Sequence, residues 1–354
     1  MFRTVRGMAL AIAFLAPLPA VAQDAPDRPI DAETRAEVIE ALGESLEEGY
    51  VFPEVAASLS AELEAKLASG AYDSHTTARA FARALADDMR TIGKDRHFGM
   101  RFEPDREANA PRPSGPPDEA EIAEMQLRVA RNGYGLARIE RLPGNIGYLD
   151  IRGFLPSKFV PPAYEAAMKL LEGSDAIIID LRSNGGGDPK SVTQLMSHLY
   201  PVGTSLLVNT IYNRPRDHTE EFWIDQTVET RFTGPVYVIT SGYTFSGGEE
   251  FAYDIKTHGR GKLVGEQTGG GANPTASMPI GGGFVASIPT GRAINPITGT
   301  NWEGVGVTPD RIVPASNAAN AAYIEALEAV RDASDGAAAK GRLTEVIDDV
   351  RSGE

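Results

Sequence analysis

Ser246 stands in Thr244-Phe245-Ser246-Gly247-Gly248-Glu249-Glu250, soon after an apolar run that ends near Thr240. A hydroxyl at a strand-to-helix junction sits at the positive end of a helix dipole, and two following glycines leave room for a substrate beside it. That setting suits a serine nucleophile. It also suits a helix cap, because Ser246 and Glu249 have the Ser-x-x-Glu spacing of a capping box. The segment departs from the Gly-x-Ser-x-Gly elbow of α/β-hydrolases. A second candidate is Asp180-Leu181-Arg182-Ser183-Asn184-Gly185-Gly186-Gly187, at the end of another apolar run. Three glycines let backbone N–H groups approach a ligand closely and cradle an oxyanion, although a plain tight turn has the same composition. No Gly-Lys-Ser/Thr follows, and the Gly-x-Gly-x-x-Gly spacing is absent, so this is not a phosphate loop. The third candidate is Glu303, between Trp302 and Gly304, in a stretch that also reads as a surface hairpin.

A serine nucleophile needs a base. The histidines are His75, His97, His198, His218 and His258. His258 lies at the far end of the helix that Ser246 would open, more than two turns away, and His198 sits late in another helix. His97, in Lys94-Asp95-Arg96-His97-Phe98, leaves a helical region just before a Pro-rich stretch. The chain has no Cys, which excludes disulfides, thiolate metal sites and a cysteine nucleophile. No metal-ligand spacing is evident, so neither metal nor cofactor is expected.

These residues need a scaffold. At 354 residues and 42% hydrophobic, the chain is large enough for one large domain and a smaller one. Its formal charge of -15 disfavours a nucleic-acid partner. Arg3 and Arg6, the apolar stretch Met8 to Val21 and Ala20-Val21-Ala22 form a secretory signal peptide over residues 1–22, cleaved before Gln23. The run is too short, and too broken by Pro17 and Pro19, for a stable membrane span. The expectation is therefore a periplasmic or secreted protein. Leu59, Leu63 and Leu67 recur at helical spacing, as do Val38, Leu42 and Leu46, and Ser74 reads as the start of a third helix, giving an N-terminal helical domain over 23–102. Pro104, Pro111, Pro113, Pro116 and Pro117 mark a linker or loop over 103–125. From 126 to 354, strands at 134–141, 146–151, 176–181, 236–240 and 262–265 alternate with helices at 161–171, 191–200 and 247–258. Closing helices follow at 318–331 and 343–350. That alternation implies an α/β core with mostly parallel strands.

From about Tyr50 onward the chain resembles the S41 peptidases, the family of C-terminal processing (tail-specific) proteases, tricorn core protease and interphotoreceptor retinoid-binding protein. The resemblance rests on Tyr50-Val51-Phe52-Pro53-Glu54, Asp95-Arg96-His97-Phe98, Ile146-Gly147-Tyr148-Leu149, the segments 180–187 and 240–250, Gly259-Arg260, Val264-Gly265-Glu266-Gln267-Thr268-Gly269-Gly270-Gly271 and Glu303-Gly304-Val305-Gly306-Val307-Thr308-Pro309-Asp310. The retinoid-binding-protein-like branch is the nearest. The resemblance implies a crotonase-like α/β core of ββα units beside a small helical domain. Tail-specific proteases pair their serine with a downstream lysine, and the equivalent position here is Gly271. The tricorn-like set of Ser, His and Glu matches Ser246, His97 and Glu303, with backbone N–H groups of Gly186 and Gly247 as the implied oxyanion hole. The stretch between His97 and Ile146 is too short for a PDZ module. The implied activity is peptide-bond hydrolysis on a peptide or protein substrate. A non-catalytic binder of apolar ligands and an esterase are the alternatives on the same fold; labelling by a serine-directed fluorophosphonate separates the binder from the enzymes.

Overall fold

The computed structural model describes residues 27–104 and 117–352; the expected signal peptide and most of the Pro-rich stretch lie outside them. Helices α1 (Ala32–Gly49), α2 (Pro53–Ala68) and α3 (Ala78–Gly93) open the fold, followed by strand β1 (Gly99–Phe102). Asp31 caps α1 by accepting the Thr34 N–H at 2.8 Å. Pro53 occupies the first turn of α2, where its missing N–H has no partner to lose. Helix α3 starts at Ala78, not Ser74. Thr77 is held extended in a bridge with Pro29, and Ile30 N donates to Thr76 O at 3.0 Å, so the chain cannot coil until this contact ends. Helix α4 (Glu119–Arg131) takes over the last part of the expected linker, because Asp118 and Glu121 form a reciprocal capping box.

The core follows as β2 (Leu136–Leu142), β3 (Ile146–Ile151), α5 (Pro161–Leu171), β4 (Ala176–Asp180) and α6 (Pro189–Ser197). Next come β5 (Leu207–Asn213), β6 (His218–Trp223), β7 (Val236–Thr240), α7 (Gly247–Thr257) and β8 (Lys262–Gly265). Strands β9 (Thr275–Gly281), β10 (Phe284–Pro289), β11 (Gly291–Ile294) and β12 (Arg311–Ile312) precede α8 (Ala315–Ala333) and α9 (Ala337–Ser352). Helix α9 begins in the Ala-rich stretch at 337–340, ahead of the start at 343 that the sequence implies.

A six-stranded sheet in the order β12-β8-β7-β4-β3-β2 forms the centre. Only β2, joined to β3 by a hairpin, runs antiparallel. The continuous Ala-Ile-Ile-Ile run of β4 follows from burial on both faces. Ile177 and Ile179 pack in the cluster that holds Leu195 of α6 and Phe251 of α7, while Ala176 and Ile178 meet Ala318, Ala322 and Leu327 of α8.

The N-terminal helices do not close a core of their own. Their buried face, including Leu42, Leu59, Phe81 and Met89, shares one cluster with Phe284, Ala286 and Ile288 of β10. Strand β1 joins the β9–β10 hairpin as an antiparallel third strand, with Gly99 opposite Ser287 and Phe102 opposite Phe284. Strand β1 follows His97 directly, so this docking fixes where His97 stands relative to the core. No helix among the described residues is long and apolar enough to cross a membrane.

Candidate active site

Strand β7 delivers the chain to Ser246, and the turn between them is fastened to the segment after β4. Ser241 Oγ donates to Arg182 O at 2.7 Å, Thr244 Oγ1 to Leu181 O at 2.8 Å, and Phe245 N to Asn184 O at 3.1 Å. Ser246 is the N-cap of α7, and Glu249 Oε2 accepts its N–H at 2.9 Å, as the Ser-x-x-Glu spacing predicts. Its backbone is not that of an ordinary cap. At φ 51° and ψ -121° it lies where non-glycine residues are rare and strained. Capping alone does not require this conformation.

Glu249 does more than cap. Fully buried, it also accepts from Thr268 Oγ1, from Gly270 N at 2.6 Å and from Gly271 N at 2.8 Å. Burial raises its carboxyl above the usual range while these donors pull it back. One carboxylate thus binds the start of α7 to the loop that carries Gly271.

In the glycine turn, buried Asn184 donates to Ile151 O at 3.0 Å and accepts the Gly186 N–H at 2.8 Å. The Gly186 N–H is therefore already engaged, which corrects its expected place among the oxyanion donors. Gly186 is needed for another reason: at φ 104°, a Cβ there would lie 2.7 Å from Ser246 Cβ. Its neighbour Gly187 lines the same cavity as Ser246 and Gly247. Among the described residues neither the Gly187 nor the Gly247 N–H has a hydrogen-bond acceptor.

His97 reaches this cavity. Its ring packs on Phe245 with centroids 4.6 Å apart, and both ring nitrogens are buried without a hydrogen-bond partner. Burial lowers its basicity from 6.5 to about 4. A ring nitrogen of His97, an oxygen of Asp95 and an oxygen of Glu303 lie within 4.8 Å of one another. That donor set could also hold a divalent cation. Asp95, which the sequence did not single out, accepts the His97 backbone N–H at 2.9 Å and Asn273 Nδ2 at 2.8 Å. Its Oδ1 is 3.8 Å from His97 Nδ1, too far for a hydrogen bond. Glu303 opens a turn whose tip, Gly304 and Val305, is exposed but whose base is anchored by buried Trp302, and it does not belong to the surface hairpin its sequence allows. Trp302 beside it is 2% exposed and donates to Gly271 O at 2.7 Å. Glu303 Oε2 accepts from Ala272 N at 2.6 Å and Asn273 N at 3.2 Å, and Oε1 is buried and unpartnered. Burial first, then the charge of Asp95, pushes Glu303 up to about 7. Of the other histidines, His198 and His258 point at backbone carbonyls of Thr230 and Val208.

Gly271 marks where a lysine would stand in the tail-specific arrangement, and the packing shows why none can. A Cβ there would lie 2.2 Å from Phe245 Cζ and 2.6 Å from His97 Cε1. A side chain at 271 and the observed imidazole therefore exclude each other. Gly271→Ala should lower kcat by about 10²-fold or more by displacing the imidazole, with the circular dichroism spectrum unchanged. Wild-type kcat in that variant would mean His97 needs no fixed position.

A model of peptidase family S41 matches residues 145–313, and one for the N-terminal domain of peptidase S41 in eukaryotic IRBP matches residues 32–130. The chain belongs to peptidase family S41. Among its relatives are the carboxy-terminal-processing protease of Bartonella bacilliformis, 25% identical over 53% of this chain and 44% of that one, and the tricorn protease of Thermoplasma volcanium, 31% identical over 49% and 16%. The chain thus covers less than half the length of either. The fold is similar to that of a structure from Parabacteroides merdae described as a peptidase, with a TM-score of 0.54, 18% identity, and 79% of this chain and 90% of that one covered. The family model spans Ser246 and Glu303, whereas His97 falls under the N-terminal model. The candidate site is therefore assembled across the two matched regions.

Proposed function

We propose that this S41 chain is a serine peptidase with Ser246 as nucleophile, His97 as general base, and Glu303 as the carboxylate that orients and charges the imidazole. The observation that carries the reading is a pair of buried, unpartnered groups, the His97 ring and Glu303 Oε1, gathered beside the cavity of a strained Ser246. Unpartnered buried polar groups are costly in a finished core, and they fit a site whose missing partner is the reacting substrate.

In the first step Ser246 Oγ adds to the scissile carbonyl carbon and its proton passes to His97. The N–H groups of Gly247 and Gly187 receive the oxyanion, each such donor being worth about 3 kcal/mol in the transition state. Collapse breaks the C–N bond, and His97 returns the proton to the leaving amine. Water then attacks the acyl ester with His97 as base, releasing the acid and restoring the serine hydroxyl. The named relatives are proteases, which supports a peptide or protein substrate. The leader-like residues 1–22 support action in the periplasm or outside the cell.

One experiment addresses both parts. Protein recovered from the exported fraction is treated with a fluorophosphonate and analysed by mass spectrometry. The expected result is a chain beginning at Gln23 with its adduct on Ser246. An unlabelled Ser246 would overturn the hydrolase, and an intact Met1 in the membrane fraction would overturn export.

A further inference from the structure

Four residues beyond Ser246, one turn into α7, stands a carboxylate that the proposed chemistry does not use. Glu250 is 3% exposed, yet it lines the cavity that holds Ser246 and His97. The cavity has a volume of about 330 Å³, at the small end of ligand-binding sites. Beside the polar His97, Ser246 and Thr275, its sides carry the apolar Ile211, Ala293, Pro274 and Trp302. Glu250 Oε1 accepts one bond, from Asn209 Nδ2 at 3.2 Å, and Oε2 has no hydrogen-bond partner among the described residues. A turn further along, Asp254 is fully buried, accepts only from Asn295 Nδ2 at 2.9 Å, and leaves Oδ2 unpartnered. The neighbouring charge felt by Glu250 is Asp188, another acid, and the one felt by Asp254 is Glu250. Among the described residues no basic side chain forms an ion pair with either acid. Burial first, then the charge of Asp188 on Glu250 and of Glu250 on Asp254, holds both carboxyls well above their ordinary range.

A partly apolar cavity beside a nucleophile, with an unpaired carboxylate on its lining, is complementary to a long aliphatic stem that ends in a cation. We infer that Glu250 selects a basic side chain, arginine or lysine, on the acyl side of the bond cleaved at Ser246. The inference rests on the peptidase reading and specifies its substrate. The stem displaces water along Ile211 and Trp302, while the guanidinium or ammonium brings Glu250 the charge and hydrogen bonds that the protein withholds. A neutral side chain would leave the acid pair unanswered, so discrimination follows from the cost of unpaired buried polar groups.

The test compares fluorogenic peptides that differ only at the acyl-side residue: arginine, lysine, citrulline and leucine. Citrulline keeps the shape of arginine and removes its charge. The wild-type protein should favour arginine over citrulline by about 10²-fold in kcat/KM, and Glu250→Gln should bring that ratio close to one. Hydrolysis with citrulline or leucine equal to arginine would overturn the inference and leave the peptidase intact. A Glu250→Gln variant that keeps the full ratio would overturn it equally. No cleavage of any peptide, with no fluorophosphonate labelling of Ser246, would overturn the peptidase reading and this inference with it. The wild-type comparison stands even if Glu250→Gln fails to fold.

Discussion

Ser246→Ala and His97→Ala should each lower kcat by on the order of 10⁴- to 10⁶-fold, and the double variant should be no worse than either, because the two act as a unit. Stability should change little. The capping contribution of a serine is about 1 kcal/mol, and the Glu249 bonds that bind the start of α7 to the Gly271 loop do not involve the Ser246 hydroxyl. His97 contributes no side-chain hydrogen bond to the fold. The measurement is steady-state hydrolysis beside thermal unfolding of each variant. Lysine is the rival base, and the structure leaves it little opportunity. Lys256 Nζ lies 3.0 Å from Asp310 Oδ1 and donates to Thr308 O at 2.6 Å, while Lys262 is exposed at the start of β8. If His97→Ala retained a tenth of the activity while Lys256→Ala abolished it, the assignment of the base would be wrong.

Glu303→Gln should cost about 10²- to 10⁴-fold in kcat and change the shape of the pH profile. An imidazole alone would place the rising limb near its ordinary value of about 6.5. The structure moves the titration elsewhere. Burial keeps His97 neutral down to about 4, whereas Glu303 holds its proton up to about 7. Below about 7 a protonated Glu303 cannot stabilise an imidazolium; above it, the carboxylate can. Activity should therefore rise with pH through about 7, and Glu303→Gln should remove that limb. Stability supplies an independent check. A carboxyl raised from 4.5 to about 7 in the folded state stabilises the fold below 4.5 and loses that contribution as pH climbs through 7. Glutamine can keep the bonds from Ala272 and Asn273 without the buried charge, so it should raise Tm at pH 8 and leave it nearly unchanged at pH 4. Retention of the limb near 7 in Glu303→Gln, or an equal Tm shift at both pH values, would remove Glu303 from this role.

Strand and helix positions in the core were largely legible because burial imposes its period on the sequence. Strands β3, β7 and β8 and helix α5 have the bounds that their apolar runs imply. The two-residue β12, which pairs parallel with β8, went unrecognised, as did strands β1, β5, β6, β9, β10 and β11. The latter are antiparallel and often half-exposed, as in Thr275–Gly281, and several owe their apolar residues to packing against distant helices. The helical domain looked separable because its periodicity is local. Its core is closed by Phe284 and Ile288, contributed some two hundred residues later.

The sequence by itself determined the chemistry on offer. With no cysteine and few histidines, a serine at a strand-to-helix junction had few possible bases, and the resemblance to S41 peptidases implied a glycine, Gly271, where tail-specific proteases carry lysine. Local spacing also placed Ser246 at the helix cap, because a cap is made by residues three apart. The tertiary structure alone decided which N–H groups are free, since Asn184 claims that of Gly186, and it brought Glu303 from a remote part of the chain against Asp95 and His97. It also decided the protonation states of His97 and Glu303. Burial is the first cause of both, and the groups that bury them, Phe245, the 268–273 loop and the turn at Trp302, converge from remote parts of the chain. Hydrogen-bond ownership and desolvation depend on what lies across space, so no spacing along the chain encodes them.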